Sequence, residues 1–172
     1  MTYYKFLTHE KTGGYSEFDW TPYLPKDGQP GEWTPAIEGE LVDCRNGYHL
    51  CDGSQLLGGY MQDELYAAEV EEVRPCEDNE KHISRRVRLV CRVDTWNDKT
   101  LRLFAVWCAR EALKLIDNPD PRSIAACDVA ERFANGQATE DELAAARAAA
   151  RDAARDAARA AQLSKLHEML GE

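Results

Sequence analysis

The chain has 172 residues, 44 % hydrophobic and 30 % charged. That suits one globular domain or two small ones, and excludes collagen-like and fully disordered chains. No apolar run approaches the roughly 18 residues of a membrane span, and Met1–His9 lacks the basic start and apolar core of a secretory signal. A cytoplasmic protein with no membrane partner is therefore expected.

The net charge of −10 is unevenly spread. Residues 1–80 hold 17 Asp and Glu against 5 Lys and Arg; residues 81–172 hold 14 against 16. An acidic first half repels phosphate at long range, so no nucleic-acid partner is expected.

The first zone, residues 1–96, is rich in aromatic and β-branched residues, Gly and Pro. Thr2–Thr8 reads as a strand, broken by Gly13-Gly14, with a short return over Ser16–Trp20. Thr21–Pro35 carries four prolines and reads as a loop. Leu41–Cys44 and Gly47–Cys51 are strand candidates around an Asn46-Gly47 turn. Ser54–Asp63 suggests a helical turn.

Leu65–Val73 and Arg86–Val93 read as an antiparallel pair. In the second strand Val87, Leu89, Cys91 and Val93 alternate with a row dominated by arginine. Glu69, Glu71 and Glu72 on the first strand are placed to face Arg86, Arg88 and Arg92 across the ladder.

From Asn97 the period turns helical. Asn97 or Asp98 caps a first helix to about Asp117, with Leu101, Phe104, Cys108, Ala112 and Leu115 as its buried face. Asp120 caps a second helix with Pro121 at its first position and Gly136 as its end. Thr139-Glu140-Asp141-Glu142 is a capping box that opens a third helix to Leu170, with Gly171 as its stop. This last helix is alanine-rich, with Arg147, Arg151, Arg155 and Arg159 at four-residue spacing. Leu143, Ala146, Ala150, Ala157 and Ala161 fall on one side and Leu163, Leu166 and Leu170 on the other. One straight helix cannot bury both sets against one neighbour: either it bends near Gln162–Ser164, or the leucines meet a protein partner or a second copy, which is the expectation. The fold class is α+β: an antiparallel sheet domain, 1–96, then a three-helix Ala-rich segment, 97–172, packing on it.

Six cysteines are present. Cys91, Cys108 and Cys127 fall on apparent buried faces, and a reducing compartment makes disulfides unexpected. The densest reactive cluster is Cys44–Cys51, where His49 and Cys51 share a strand face and Cys44 can join them across the turn. Three such ligands could hold zinc, but no C-x2-C pair is present. The expectation is inert thiols, a hydrogen-bonded His, no metal and no cofactor. No nucleophile elbow, phosphate loop, dinucleotide loop or HExxH motif occurs, so no catalytic residue is assigned.

Val42–Cys51 (VDCRNGYHLC), followed by Leu65–Val70 (LYAAEV), resembles an uncharacterised domain common in phage and bacterial proteins. The segment 96–110, then 131–136 and the Ala/Arg run, is similar to helical segments of immunity and phage accessory proteins. The resemblance implies a phage or prophage setting, with action by binding another protein in defence or counter-defence. The first domain also resembles, loosely, the ADP-ribosyltransferase plan. On that alternative, Tyr48, His49 and Glu69 would line one cleft. A binding surface of Tyr48, His49, Glu69, Leu163, Leu166 and Leu170 is thus expected.

Overall fold

The computed structural model describes residues 2–58 and 60–170. The expected stop at Gly171 lies outside them. The architecture is α+β, and the chain divides after Asn97 into two compact units.

The first unit is built on four antiparallel strands: β1 (Tyr3–Leu7), β2 (Tyr48–Asp52), β3 (Glu64–Pro75) and β4 (His82–Arg92). They close into a barrel in the order β1-β2-β4-β3. The long β3–β4 ladder sets Glu69 opposite Arg88 and Glu71 opposite Arg86. Both pairs form ion pairs, and Glu72 pairs with Arg85. The Arg86 and Arg88 guanidinium groups also lie over the Trp33 ring, at 5.2 and 5.1 Å from its centroid. The arginine row is therefore taken up within the chain.

Inside the barrel, Leu7, Tyr48, Leu50, Tyr66, Val87 and Leu89 form one buried cluster with Trp20. Trp20 ends the Ser16–Trp20 stretch, and the loop that follows it has a structural task. Gly31, Thr34 and Ile37 donate their amides to the carbonyls of Leu89, Val87 and Arg85. The Thr34 side chain accepts from Val87 N. The proline-rich stretch thus satisfies β4 backbone groups beyond the reach of β2, which pairs only over residues 82–84.

Two strand expectations are corrected. Ser16–Trp20 forms no strand, and around residues 41–46 there is only a single bridge, Val42 to Asn46. The chain reverses tightly there: Arg45 and Asn46 both donate to the Val42 carbonyl, and Cys44 takes a left-handed φ of 60°. Gly47 is required after the turn, since its φ is 150° and a β-carbon would lie 2.4 Å from Ile83 Cγ1. The helical turn expected over Ser54–Asp63 is one 3-10 turn, Gly53–Gln55, capped by Asp52.

The β4 alternation also stops early. A bulge shifts the register so that Ala68 faces Leu89 while Ala67 faces Cys91. Val87 and Leu89 are buried, but Cys91 is exposed, because the extra residue turns its face outward.

The second unit is three helices: α1 (Asp98–Leu113), α2 (Pro121–Ala134) and α3 (Glu140–Leu170). Asp120 caps α2, accepting from Arg122 N at 2.8 Å. The box at α3 forms as its spacing predicts: Glu142 N donates to Thr139 Oγ1, and Thr139 N to Glu142 Oε2. Helix α2 is central and packs against both α1 and α3. Arg110 of α1 joins Asp128 and Glu131 of α2, and Arg122 of α2 reaches Asp156 of α3.

The buried stripe of α1 differs from expectation. Val106 is buried and Leu103 and Leu113 half-buried, whereas Phe104, Cys108, Ala112 and Leu115 are exposed. α1 carries apolar residues on two faces, and packing against α2 buries the one centred on Val106. Cys127 is buried as expected, and Cys108 is not.

Candidate functional site

The β1–β2 ladder pairs at only two positions, Tyr3 with Asp52 and Tyr4 with Cys51. β1 continues along β3 as far as Leu7, so past Tyr4 the seam between β1 and β2 opens. A cavity of about 490 Å³ fills this opening. Tyr4, Lys5 and Phe6 line one side and His49, Leu50 and Cys51 the other. The Gly13–Ser16 loop, the Cys44–Gly47 turn, Tyr60 and Lys81 complete its wall.

Where the ladder stops, a side chain takes over. Lys5 Nζ donates to the His49 carbonyl at 3.0 Å and lies 5.1 Å from the centroid of the Trp20 ring. Lys5 is only 9 % exposed. Among the described residues no carboxylate lies within ion-pair distance of it. Burial pushes its pKa down to about 8.

Lys81, 6 % exposed, is differently placed. It donates to Tyr60 Oη at 2.7 Å, sits over that ring, and has Asp78 at 3.6 Å. Burial opposes its charge, but the bonds to Tyr60 and Cys44 outweigh that and hold its pKa above the usual lysine range. His49 Nε2 accepts from Cys44 N at 3.1 Å, which makes the ring a neutral imidazole with its proton on Nδ1. Burial first, then the cations Lys5 and Lys81, lower its pKa. Cys51 is pushed up to about 11 by burial, so its thiol stays protonated and is a poor nucleophile.

The turn thus brings Cys44, His49 and Cys51 to one cavity, as the hairpin spacing suggests. Among the described residues no group of three His, Cys, Asp or Glu is arranged to hold a metal ion.

Tyr48, His49 and Glu69 are not brought together. Tyr48 points from the opposite face of β2 into the core and donates to the Pro35 carbonyl at 3.0 Å. Glu69 is exposed on β3 and paired with Arg88. Adjacent strand residues face opposite ways, which separates Tyr48 from His49. The ADP-ribosyltransferase alternative therefore loses the shared cleft on which it depended. Lys5, Lys81 and Tyr60 were not singled out by sequence reasoning. For Lys5 a signal was present: a lone cation between Tyr3 and Leu7 on the inward face of a strand.

In the helical unit, Leu143 and Ala153 of α3 are buried and Ala146 and Ala150 half-buried. Ala157 and Ala161, expected to continue this stripe, are exposed, because the packing ends at Ala153. All 17 residues from Ala154 to Leu170 are exposed, Leu163, Leu166 and Leu170 among them. A second cavity, about 430 Å³, lies among the three helices; Ala105, Ala109, Ala126, Ala130 and Ala150 form much of its lining. Among the described residues no helix is long and apolar enough to cross a membrane.

No family model, no curated protein and no solved structure matches this chain.

Proposed function

We propose that the chain acts by protein–protein binding through its helical unit, in the phage or prophage setting that the hairpin resemblance implies, and that the partner is a second copy of itself. The supporting observation is the distal part of α3. The last 17 side chains of this helix are all exposed, and apart from the Arg122–Asp156 ion pair its packing on α2 ends at Ala153, so its leucines are left unburied within the described chain. Its alanine content keeps it helical, and its leucines recur at i, i+3 and i+7 as a docking helix requires.

The same chain carries a matching surface. The alanine-lined groove among α1, α2 and α3 leaves room for branched side chains of an incoming helix, the knob-and-hole complementarity of packed helices. Leu163 and Leu166 of one copy seated in the groove of the other make a reciprocal, closed dimer.

Light scattering on the purified full chain tests this. A dimer is expected that becomes a monomer when the chain ends at Gln162 and when Leu163 and Leu166 are both replaced by Asp. A full-length monomer at ~100 μM, or a dimer indifferent to both changes, would overturn the proposal. So would a truncated chain that stays dimeric and loses only thermal stability.

A further inference from the structure

The seam cavity carries an inference independent of self-association. Residues 1–80 bear a net charge of −12, yet the cavity lining includes Lys5, Arg45 and Lys81 and no aspartate or glutamate among the described residues. A chain with acids to spare has placed none of them on this wall.

Of the two buried ammonium groups, Lys81 has a hydroxyl and a carboxylate within reach. Lys5 has one carbonyl and the face of an indole. An ammonium offers three donors, and a buried cation is costly unless an opposite charge and further acceptors meet it. Nothing in the described chain supplies these to Lys5, whose pKa burial lowers to about 8. Gly13 lies against the same group: a β-carbon there would come within 3.3 Å of Lys5 Nζ.

Beside the polar Ser16 and His49, the wall carries an apolar and aromatic share. Tyr4, Phe6, Leu50 and Tyr60 line it, and Tyr15 stands at 76 % exposure with its ring 6.0 Å from that of Tyr60, edge to face. A volume of about 490 Å³ falls within the range of small-molecule sites.

We propose that this cavity binds a small organic monocarboxylate, its carboxylate received by Lys5 Nζ and its ring-sized apolar body held among Tyr4, Phe6, Tyr15 and Tyr60. Arg45 on the lining is exposed and hydrated, so among the described residues Lys5 is the buried cation of the wall that lacks a counter-charge; one buried positive charge calls for one negative charge, which favours a carboxylate over a phosphate dianion. The aromatic walls call for an apolar body over a bare inorganic anion.

Amide-resolved NMR titration of the full chain with benzoate, phenyl phosphate and benzyl alcohol tests the assignment. Benzoate is expected to bind saturably, shifting the amides of Lys5, Gly13 and His49, with benzyl alcohol much weaker and phenyl phosphate no tighter than benzoate. Lys5→Met should weaken benzoate by about 10–100-fold, as loss of a charge-assisted hydrogen bond does. Tyr15→Ala, at an exposed position that leaves the core alone, should weaken it several-fold. That variant keeps the test decisive if Lys5→Met does not fold. Equal affinity for benzyl alcohol, tighter binding of phenyl phosphate, unchanged affinity in a folded Lys5→Met chain, or no saturable shift by ~10 mM benzoate each overturns the proposal.

Discussion

The two units are held together by different physics. In the barrel, strands distant in sequence pair around a core of Trp20, Leu7, Tyr48, Val87 and Leu89. In the helical unit, the buried residues among those described are Val106, Cys127, Leu143 and Ala153. Its order rests on caps, alanine propensity and ion pairs between helices. A unit with a large core can hold a cavity open beside a buried charge. A unit with a small core has apolar surface left over, and that is the surface proposed above to dock a second copy.

The sharpest way to break this contrast is to damage the barrel core alone. Trp20→Ala removes a side chain that is 2 % exposed and touches Phe18 and Tyr48. A loss of about 3–5 kcal/mol is expected, seen as a lowered near-ultraviolet transition while much of the 222-nm helical signal of α1–α3 persists. Simultaneous collapse of both signals would show that the units do not fold separately.

The next effect is of opposite sign. The Lys5 pKa is lowered to about 8 in the fold, against 10.5 when exposed. The unfolded chain therefore binds more protons above pH 8, and stability contributed by this group rises with pH there. Cys51 and Cys76, both raised to about 11, work the other way. The thiols begin to oppose Lys5 already between pH 8 and 9, so its effect is read as a difference between two chains that share them. Across that window the urea midpoint should fall in Lys5→Met and fall less, or rise, in the native chain. At pH 7 Lys5→Met should be more stable by about 1–2 kcal/mol, the relieved burial of charge less the lost bond to the His49 carbonyl. Identical pH 8 to 9 trends in the two chains, with a variant less stable than the native chain at pH 7, would remove Lys5 as a strained cation.

The smallest test belongs to the helical unit. Asp120→Ala deletes the α2 cap and a salt bridge with Arg122. A cost of about 1 kcal/mol is expected, confined to the 222-nm transition. A larger loss that extended to the near-ultraviolet signal would mean the barrel depends on α2.

Much of this molecule was legible from local patterns. The capping box at Thr139, the Asp120-Pro121 start of α2, the facing Glu and Arg rows of β3 and β4, and the convergence of Cys44, His49 and Cys51 all follow from spacing along a few residues. Such features need only the geometry of one helix turn or one strand pair. The proline-rich loop was read correctly as irregular, but its service to β4 was not visible, because nothing local says which backbone groups will lack a partner.

What the sequence determined by itself was therefore the order and type of the longer elements, the caps of α2 and α3 and the placement of charge, since propensity, period and electrostatics act at short range. Tertiary structure alone decided which apolar stripe of α1 is buried, where the bulge turns Cys91 outward, that Tyr48 and Glu69 stay apart from His49, and that Lys5 is closed into an opened seam with no carboxylate among the described residues beside it. Each of these depends on which surfaces meet, and a side chain's burial, charge state and free valence are set by neighbours that the chain brings from far along its length.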